Sequence, residues 1–220
     1  MTTEHHIVVQ RTARYVTIGE ASAATTELWI VCHGYGQLAR PFVASFEAIA
    51  SPSRLIVAPE ALSRFYLERS ATGVNTQAAI GATWMTREAR EADITDYIAY
   101  LDQVCNTVLA DTPDAALIGL GFSQGTATIT RWAAASQRQL RRLVLWGAGL
   151  PPDLDWSRAE TRLRDVPVTL VVGRRDPFAL PERIAEQEAL LGAHGIAFNT
   201  VYYDGDHRVD PAALRLIAER

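Results

Sequence analysis

Residues 119–127 have the sequence GLGFSQGTA, in which Ser123 lies between Gly121 and Gly125. The apolar residues before Ser123 are typical of a strand, and the run QGTATITRWAAA after it is typical of a helix. A serine on a sharp turn from strand to helix is raised above the sheet edge. The residues two before and two after it must be small because they approach each other closely. The stretch therefore predicts either a simple tight turn or a nucleophile held for attack.

Apolar runs recur along the chain, with helix-like segments between most of the later runs. This alternation predicts an α/β fold with a mostly parallel sheet of about eight strands and helices on both faces. No repeat or linker divides the sequence, so residues 1–220 are expected to form a single domain. The first two strands are close together, as in an N-terminal hairpin, and a helix is predicted over residues 86–110. The predicted strands are residues 7–10, 14–19, 27–34, 54–60, 115–121, 141–149, 168–173 and 197–205.

Charge and hydropathy exclude several classes of function. The formal net charge is -4, and 48% of the residues are hydrophobic. No basic excess or polybasic run is present, so neither nucleic acid nor an anionic membrane is an expected partner. The N-terminal residues contain no long apolar segment, and the longest apolar runs are too short to span a bilayer. A cytoplasmic protein without integral membrane association is expected, and its oligomeric state is left open.

Metal and cofactor chemistry is not predicted. The two cysteines, Cys32 and Cys105, lie in apolar segments and are expected to be buried rather than to form a disulfide or a metal cluster. His5 and His6 are adjacent near the N-terminus but lack a third ligand. We therefore expect a reaction that needs no metal and no organic cofactor.

A serine hydroxyl becomes a good nucleophile only when a base removes its proton. His207 lies in a loop between the last strand and the last helix, at the same predicted sheet edge as Ser123, and is the predicted base. Asp176 follows the penultimate strand at that edge and is the predicted carboxylate partner of His207. Asp204 and Asp206 are nearer to His207 in sequence, but turn formation is the favoured role for them.

A tetrahedral oxyanion needs backbone donors that are already in place. The N–H of Gln124, at the positive end of the following helix, is one predicted donor, and its side chain is given no role. The N–H of Tyr35, in the VCHGYGQLA segment after a buried strand, is the second predicted donor. His33, in the same segment, is expected to fix the loop by hydrogen bonding rather than to act as a second base.

Together these motifs resemble the α/β-hydrolase superfamily, in which nucleophile, acid and base occur in this chain order. HGYGQ, GFSQG, GRRDP and GDH are most similar to the small, cap-free carboxylesterase/phospholipase branch, which includes acyl-protein thioesterases. The resemblance covers nearly the whole chain and implies a serine hydrolase that cleaves esters or thioesters through an acyl-enzyme. Tyr35 and Gln37 depart from that branch, which usually has a small aliphatic residue and an aspartate there.

The substrate is expected to be a small-molecule or lipid-like ester. Residues 62–91 occupy the place of the branch's substrate-groove loop, and a long loop of this kind is often functional. Substrate-lining residues are predicted there and next to Ser123; they are Phe65, Tyr66, Trp84 and Phe122. The segment between Gly149 and Val168 is too short for a helical cap. Two alternatives stay open: a noncatalytic ligand-binding relative, and a peptidase or acyltransferase with the same triad.

Overall fold

The computed structural model describes residues 1–70, 73–74 and 79–219. Within these residues the main sheet has seven strands in the order β1-β3-β2-β8-β9-β10-β11. All neighbouring strands are parallel except β1, which pairs antiparallel with β3 at one edge. The strands are β1 (Tyr15–Ile18), β2 (Glu27–Cys32), β3 (Arg54–Pro59), β8 (Ala116–Phe122), β9 (Arg142–Trp146), β10 (Val168–Gly173) and β11 (Phe198–Tyr203).

Helices cover both faces of this sheet. The six α-helices of the described residues are α1 (Ala39–Val43), α2 (Arg90–Leu109), α3 (Gln124–Ala135), α4 (Trp156–Leu163), α5 (Pro181–Ala193) and α6 (Pro211–Ala218). A 3-10 helix, Ala44–Ile49, follows α1 directly. Successive residues of the central strand β2 point to opposite faces, so Leu28 and Ile30 join one apolar core while Trp29 and Val31 join the other. The predicted α/β architecture is therefore confirmed.

The two cores differ in which helices they bury. The first contains residues of α2, α3, α4 and α5, with Trp132 and Leu101 fully buried among them. The second contains residues of α1, the 3-10 helix and α6, with Phe46 and Leu214 fully buried. Near-continuous apolar strands between two helical layers are what a parallel sheet requires.

The predicted N-terminal hairpin is wrong. Residues 7–10 form no strand, and Val8 is 99% exposed. The predicted second strand exists as β1, but its partner is β3, with Tyr15 opposite Pro59. The apolar run at 7–10 resembles a strand in sequence, but it has no pairing partner. The predicted helix over 86–110 exists and begins later, at Arg90.

The segment predicted to line the substrate site, residues 62–91, contains small antiparallel pairs. β4 (Ser63–Tyr66) pairs with β7 (Ile80–Thr83), and β5 (Arg69–Ser70) pairs with β6 (Gly73–Val74). Residues 71–72 and 75–78 of the segment lie outside the described part. The β4–β7 pair joins the main body through Ala82, which exchanges two backbone hydrogen bonds with the loop after β2.

No cap domain is inserted between β9 and β10. That connection contains α4, which packs against α3 through the buried Ala159 and Leu163. Among the described helices, none combines the length and the apolar character needed to cross a bilayer.

Candidate active site

Ser123 occupies the sharp turn between β8 and α3. Its backbone angles, φ 52° and ψ −118°, are unusual for a residue with a side chain. A Cβ on Gly121 would lie 2.2 Å from the carbonyl oxygen of Gly125, and a Cβ on Gly125 would lie 2.1 Å from that of Cys32. Neither position has room for a side chain. The Ser123 N–H donates to the Trp146 carbonyl at 2.9 Å, which ties the turn to β9. We call residues 121–125 the elbow.

His207 and Asp176 form a hydrogen-bonded pair at the same sheet edge. The distance between His207 Nδ1 and Asp176 Oδ2 is 2.6 Å, and the Asp176 side chain is only 1% exposed. The other carboxylate oxygen of Asp176 accepts from the Phe178 N–H at 2.8 Å. Asp206 pairs with Arg208 at 2.9 Å. Of the aspartates considered for this position, Asp176 is thus the one that contacts the imidazole.

Asp204, the third of those aspartates, pairs with Arg175 at the surface.

Two aromatic rings hold the His207 imidazole in place. The Phe122 ring lies 4.8 Å from it and the Phe178 ring 4.9 Å from it, measured between ring centroids. Phe178 is 62% exposed. Its position two residues after Asp176 is the only sequence signal that could have identified it.

The second predicted donor lies in the Tyr35 loop, residues 33–38. Gln37 braces this loop because its Oε1 accepts from the Gly34 N–H at 2.8 Å. The Gly36 N–H donates to the Ala82 carbonyl at 2.8 Å, and the Ala82 N–H donates to the Gln37 carbonyl at 3.1 Å. Among the described residues, the Tyr35 N–H donates to no acceptor. The N–H of Gln124, at the first position of α3, likewise has no place in the helical ladder.

His33 fixes the same loop from below. Its Nε2 accepts from the Ala61 N–H at 3.1 Å, so the proton is on Nδ1, which donates to the Gly34 carbonyl at 2.8 Å. Burial lowers the pKa of His33 and keeps the imidazole neutral. The Trp84 indole N–H donates to the His33 carbonyl at 2.8 Å. His33 therefore has the loop-fixing contacts that the sequence analysis expected.

Glu60 anchors the far end of the Tyr35 loop. Its buried carboxylate accepts from Arg14 Nε at 2.7 Å and from the N–H of Ala39, where α1 begins, at 3.3 Å. Arg64 donates a further bond at 3.2 Å. Burial alone would raise the pKa of Glu60, but the hydrogen bonds from Arg14 and Arg64 outweigh it and lower that pKa. Glu60 is therefore held as a carboxylate.

The Gln124 side chain was given no role from the sequence, and this was wrong. Its Nε2 donates to the Met85 carbonyl at 2.9 Å, and its Oε1 accepts from the Trp84 N–H at 3.1 Å. Residues 82–85 are therefore bonded both to the Tyr35 loop and to the residue after Ser123. The predicted donors Tyr35 and Gln124 share this support, which we call the 82–85 splint.

A cleft of about 1000 Å³ opens at Ser123 and His207. It runs between the loop after β9 and helix α5, and its walls are mainly apolar. Residues that line it deeper in are Leu145, Leu150, Leu170, Val172, Ile184 and Leu190. The Leu150 N–H donates to Gln187 Oε1 at 2.7 Å, which joins the two walls. This volume lies at the upper end of the range for small-molecule sites.

An ion cluster holds the loop after β9 against the helices behind it. Asp153 accepts from the buried Arg131 of α3 at 2.5 Å and also from Arg90 of α2. Burial would raise the pKa of Asp153, but the bonds from Arg131 and Arg90 outweigh it and lower that pKa to about 2. The Tyr97 hydroxyl accepts a further bond from Arg131 at 3.2 Å. One wall of the cleft is thereby tied to α2 and α3.

Comparison with known proteins identifies the family of this chain. A model of the phospholipase/carboxylesterase family matches residues 13–219. The chain belongs to the phospholipase/carboxylesterase family. Membership supports a hydrolase function, and it confirms the resemblance drawn from HGYGQ, GFSQG, GRRDP and GDH. No curated protein sequence matches the chain.

Solved structures place this family member in the same fold. The esterase PE8 is 19% identical with a TM-score of 0.70, and the match covers 95% of this chain and 97% of that one. Acyl-protein thioesterase 2 from Zea mays is 19% identical with a TM-score of 0.67, covering 94% and 97%. A phospholipase/carboxylesterase from Dyadobacter fermentans is 16% identical with a TM-score of 0.66, covering 96% and 97%. At these identities the likeness shows the fold alone.

The four predicted substrate-lining residues of this family member fall into two groups. Phe65 and Tyr66 lie on β4: the Phe65 ring is 5.3 Å from the exposed ring of Tyr35, Tyr66 is itself exposed, and neither lines the cleft at Ser123. Trp84 and Phe122 are 3% and 4% exposed, and neither lines the cleft at Ser123. Their placement corrects the prediction: Trp84 was predicted from its position in the 62–91 segment and Phe122 from its position next to Ser123, but the two rings pack against His33 and His207.

The cleft at Ser123 has walls that were not predicted. Residues 62–91 were expected to contain substrate-lining side chains, whereas this cleft is lined by residues 145–152 and 170–190. These walls could not be predicted from the sequence, because their apolar residues have the same pattern as residues of strands and helices that are buried in the core. Within residues 1–70, 73–74 and 79–219, no three His, Cys, Asp or Glu side chains are grouped where a metal ion could bind.

Proposed function

We propose that this protein is a serine hydrolase that cleaves carboxylic esters or thioesters through an acyl-enzyme, with Ser123 as nucleophile. The observation that carries the proposal is the 2.6 Å hydrogen bond between His207 and the buried Asp176 beside the Ser123 elbow. Family membership supports the same class of reaction. The strained backbone of Ser123 supports it as well, because such strain concentrates at functional sites.

In the proposed mechanism, His207 Nε2 takes the hydroxyl proton of Ser123 while Oγ forms a bond to the substrate carbonyl carbon. Asp176 accepts the His207 Nδ1–H, which fixes the tautomer and stabilises the imidazolium that forms. The negative charge that develops on the carbonyl oxygen is stabilised by the N–H groups of Tyr35 and Gln124. The Gln124 donor benefits from the positive end of α3.

The tetrahedral intermediate then collapses. The bond from carbon to the leaving oxygen or sulfur breaks, and His207 gives its proton to that atom, which leaves an ester on Ser123. Water next attacks the same carbon with His207 as base, and the acid is released as Ser123 regains its proton. The acyl group occupies the apolar cleft that Ser123 lines, because removing its carbon chain from water is favourable.

A fluorophosphonate probe tests the nucleophile directly. We expect the wild type to gain the phosphonyl mass on Ser123, and Ser123→Ala to gain none while keeping the wild-type circular dichroism spectrum. Ser157→Ala, a change of an exposed serine on α4, should label like the wild type. A folded wild type that stays unlabelled and hydrolyses no ester would favour a noncatalytic binding protein.

Activity measurements test the roles of the other residues. With p-nitrophenyl esters of varied chain length, we expect kcat to fall by about 10³-fold or more in Ser123→Ala and His207→Ala. Asp176→Asn should cost about 10²-fold or more because the imidazole then lacks its fixed tautomer. Turnover of peptides alone, with no ester cleaved, would overturn the esterase proposal in favour of a peptidase.

A further inference from the structure

A second, smaller cleft lies on the other side of the His207 imidazole. Its volume is about 420 Å³, and it is lined by residues of the Tyr35 loop, α1, the 3-10 helix and the loop after β11. His207 lines both clefts, whereas Ser123 lines only the larger one. The floor of the second cleft includes the buried Phe42 and Val209, and its rim includes Ser45 and Arg208.

The chemistry assigns a different part of the substrate to each cleft. The acyl carbon becomes bonded to Ser123, so the acyl chain extends from Ser123 into the larger cleft. The leaving oxygen or sulfur must lie within reach of His207, because that imidazolium is its proton donor. We infer that the cleft lined by His207, Ser45 and Arg208 binds the alcohol or thiol part of the substrate. This inference rests on the proposed function and adds the substrate class of the leaving group.

The lining defines that class. A volume of about 420 Å³ lies near the lower end of the range for small-molecule sites, so the leaving group is compact, about the size of a benzyl group. Phe42 and Val209 offer apolar surface to its carbon skeleton. At the rim, the Ser45 hydroxyl and the Arg208 guanidinium are donors, and Arg208 is exposed although its Nε is paired with Asp206. The leaving group therefore carries a hydrogen-bond acceptor, such as a carboxylate, at its far end.

A crossover experiment separates the two clefts. The substrates are methyl butanoate, benzyl butanoate and methyl octanoate. Two substitutions each fill one cleft with a larger side chain: Ser45→Trp fills the second cleft and Ile184→Trp fills the first. We expect Ser45→Trp to lower kcat/KM for benzyl butanoate about tenfold more than for methyl butanoate. Ile184→Trp should lower kcat/KM for methyl octanoate about tenfold more than for methyl butanoate. Thr161→Trp, on the exposed side of α4, is the matched control and should leave both ratios at the wild-type values.

The outcomes distinguish this inference from the proposed function. If Ser45→Trp leaves the benzyl-to-methyl ratio unchanged, or alters selectivity for acyl length instead, the leaving-group assignment is wrong while ester hydrolysis by Ser123 stands. If the wild type cleaves no ester and takes up no fluorophosphonate, the proposed function fails and this inference fails with it. A Ser45→Trp protein that does not fold is replaced by Ser45→Leu, with the same ratio as readout.

A second pair of esters tests the acceptor. The probes are para-carboxybenzyl butanoate and para-methylbenzyl butanoate, which are similar in size. We expect the wild type to favour the carboxylate ester about fivefold or more, and Arg208→Met to lose that preference. Because Arg208 is next to His207, the readout is the ratio between the two esters, in which a general loss of rate cancels. Arg215→Met on α6 should keep the wild-type ratio, and an equal ratio in Arg208→Met would overturn the role of Arg208.

Discussion

The two predicted oxyanion donors lie on segments that are held by different physics. The elbow, residues 121–125, is fixed by backbone contacts within a few residues and across to β2, so tight that Gly121 and Gly125 have no room for a Cβ. The Tyr35 loop is fixed by hydrogen bonds: one from the side chain of Gln37 within the loop, and others from Glu60 and the backbone of the 82–85 splint, which are distant in the chain. The backbone path of the elbow is set mainly by excluded volume, the path of the Tyr35 loop is set by hydrogen bonds, and the Gln124 side chain links the elbow to the splint. One site therefore combines a rigid half with a half that single polar substitutions can loosen.

The largest losses of stability and activity are expected when the elbow is distorted. Gly125→Ala places a methyl group against the Cys32 carbonyl, so the strand or the elbow must move. We expect the free energy of unfolding to fall by about 3 kcal/mol and kcat/KM to fall by about 10³-fold. Thermal denaturation and ester hydrolysis measure the two effects.

Gly192→Ala on α5 is the matched control for that substitution. A Cβ there has no heavy atom within 4 Å, so the helix should gain about 0.5–1 kcal/mol of stability from the better helix former. A Gly125→Ala protein with the stability and activity of Gly192→Ala would show that the elbow tolerates expansion, and the contrast between the two halves would disappear.

The next effect comes from cutting the link between the elbow and the 82–85 splint. Gln124→Leu keeps the N–H of residue 124 but leaves the Trp84 N–H without its acceptor, and it removes one of the two donors to the Met85 carbonyl, the other being the Thr83 hydroxyl. We expect stability to fall by about 2 kcal/mol. Because the splint then shifts, kcat should fall by about tenfold or more with a smaller change in KM.

Gln137→Leu, an exposed change after α3, is the control for Gln124→Leu and should alter neither the free energy of unfolding nor kcat. A Gln124→Leu protein that is destabilised yet has the wild-type kcat at a temperature where it is folded would reduce the splint to a purely structural element. Measurement of kcat and KM well below the unfolding transition separates these cases.

A smaller effect is expected at the far end of the Tyr35 loop. Glu60→Gln keeps the shape of the side chain but removes the charge that pairs with Arg14 and Arg64. Stability should fall by about 1.5 kcal/mol because charge-assisted hydrogen bonds become neutral ones. Chemical denaturation of the variant against the wild type measures this difference. An unchanged midpoint would mean that the bonds from the backbone alone hold this end of the loop.

The smallest predicted effect is a pH dependence at the cleft wall. The pKa of Asp153 is about 2 in the folded protein and 3.8 in the absence of its partners. A depressed carboxyl pKa stabilises the fold above the unfolded value, and that contribution is lost as pH falls through the folded value. The melting temperature of Asp153→Asn should therefore lie below that of the wild type at neutral pH. The gap should narrow between about pH 4 and pH 2, and a gap independent of pH would contradict the ion-cluster role.

The contrast between the two halves also explains what the sequence could predict. Local rules act on neighbouring residues, and so the elbow around Ser123 and the parallel sheet were predicted from glycines and apolar runs. The contact between His207 and Asp176 followed from strand order, because the carboxyl ends of parallel strands share one edge.

Interactions between distant residues could not be predicted in the same way. The Gln124 side chain reaches Met85, and the His33 ring accepts from Ala61, only because the β4–β7 pair and β3 are placed there by the whole fold. The prediction that Trp84 and Phe122 face the substrate failed because an aromatic side chain near a site can equally well pack inward, and the sequence does not show which way it points. The strand predicted at residues 7–10 is absent for a different reason: a strand-like pattern forms no strand unless another strand is there to pair with it.

The register of β7 carries a consequence for how this segment tolerates changes in length. Within three consecutive residues, the backbone of Ala82 pairs with the Tyr35 loop, and the Thr83 hydroxyl and the Trp84 backbone N–H both bond the Gln124 side chain. Deleting one residue between Ile80 and Ala82 would move each side chain to the opposite face of the β4–β7 pair, since side chains alternate along a strand. A deletion of two residues would restore the faces but shorten the pairing with β4. Insertions and deletions in this strand are therefore constrained in steps of two.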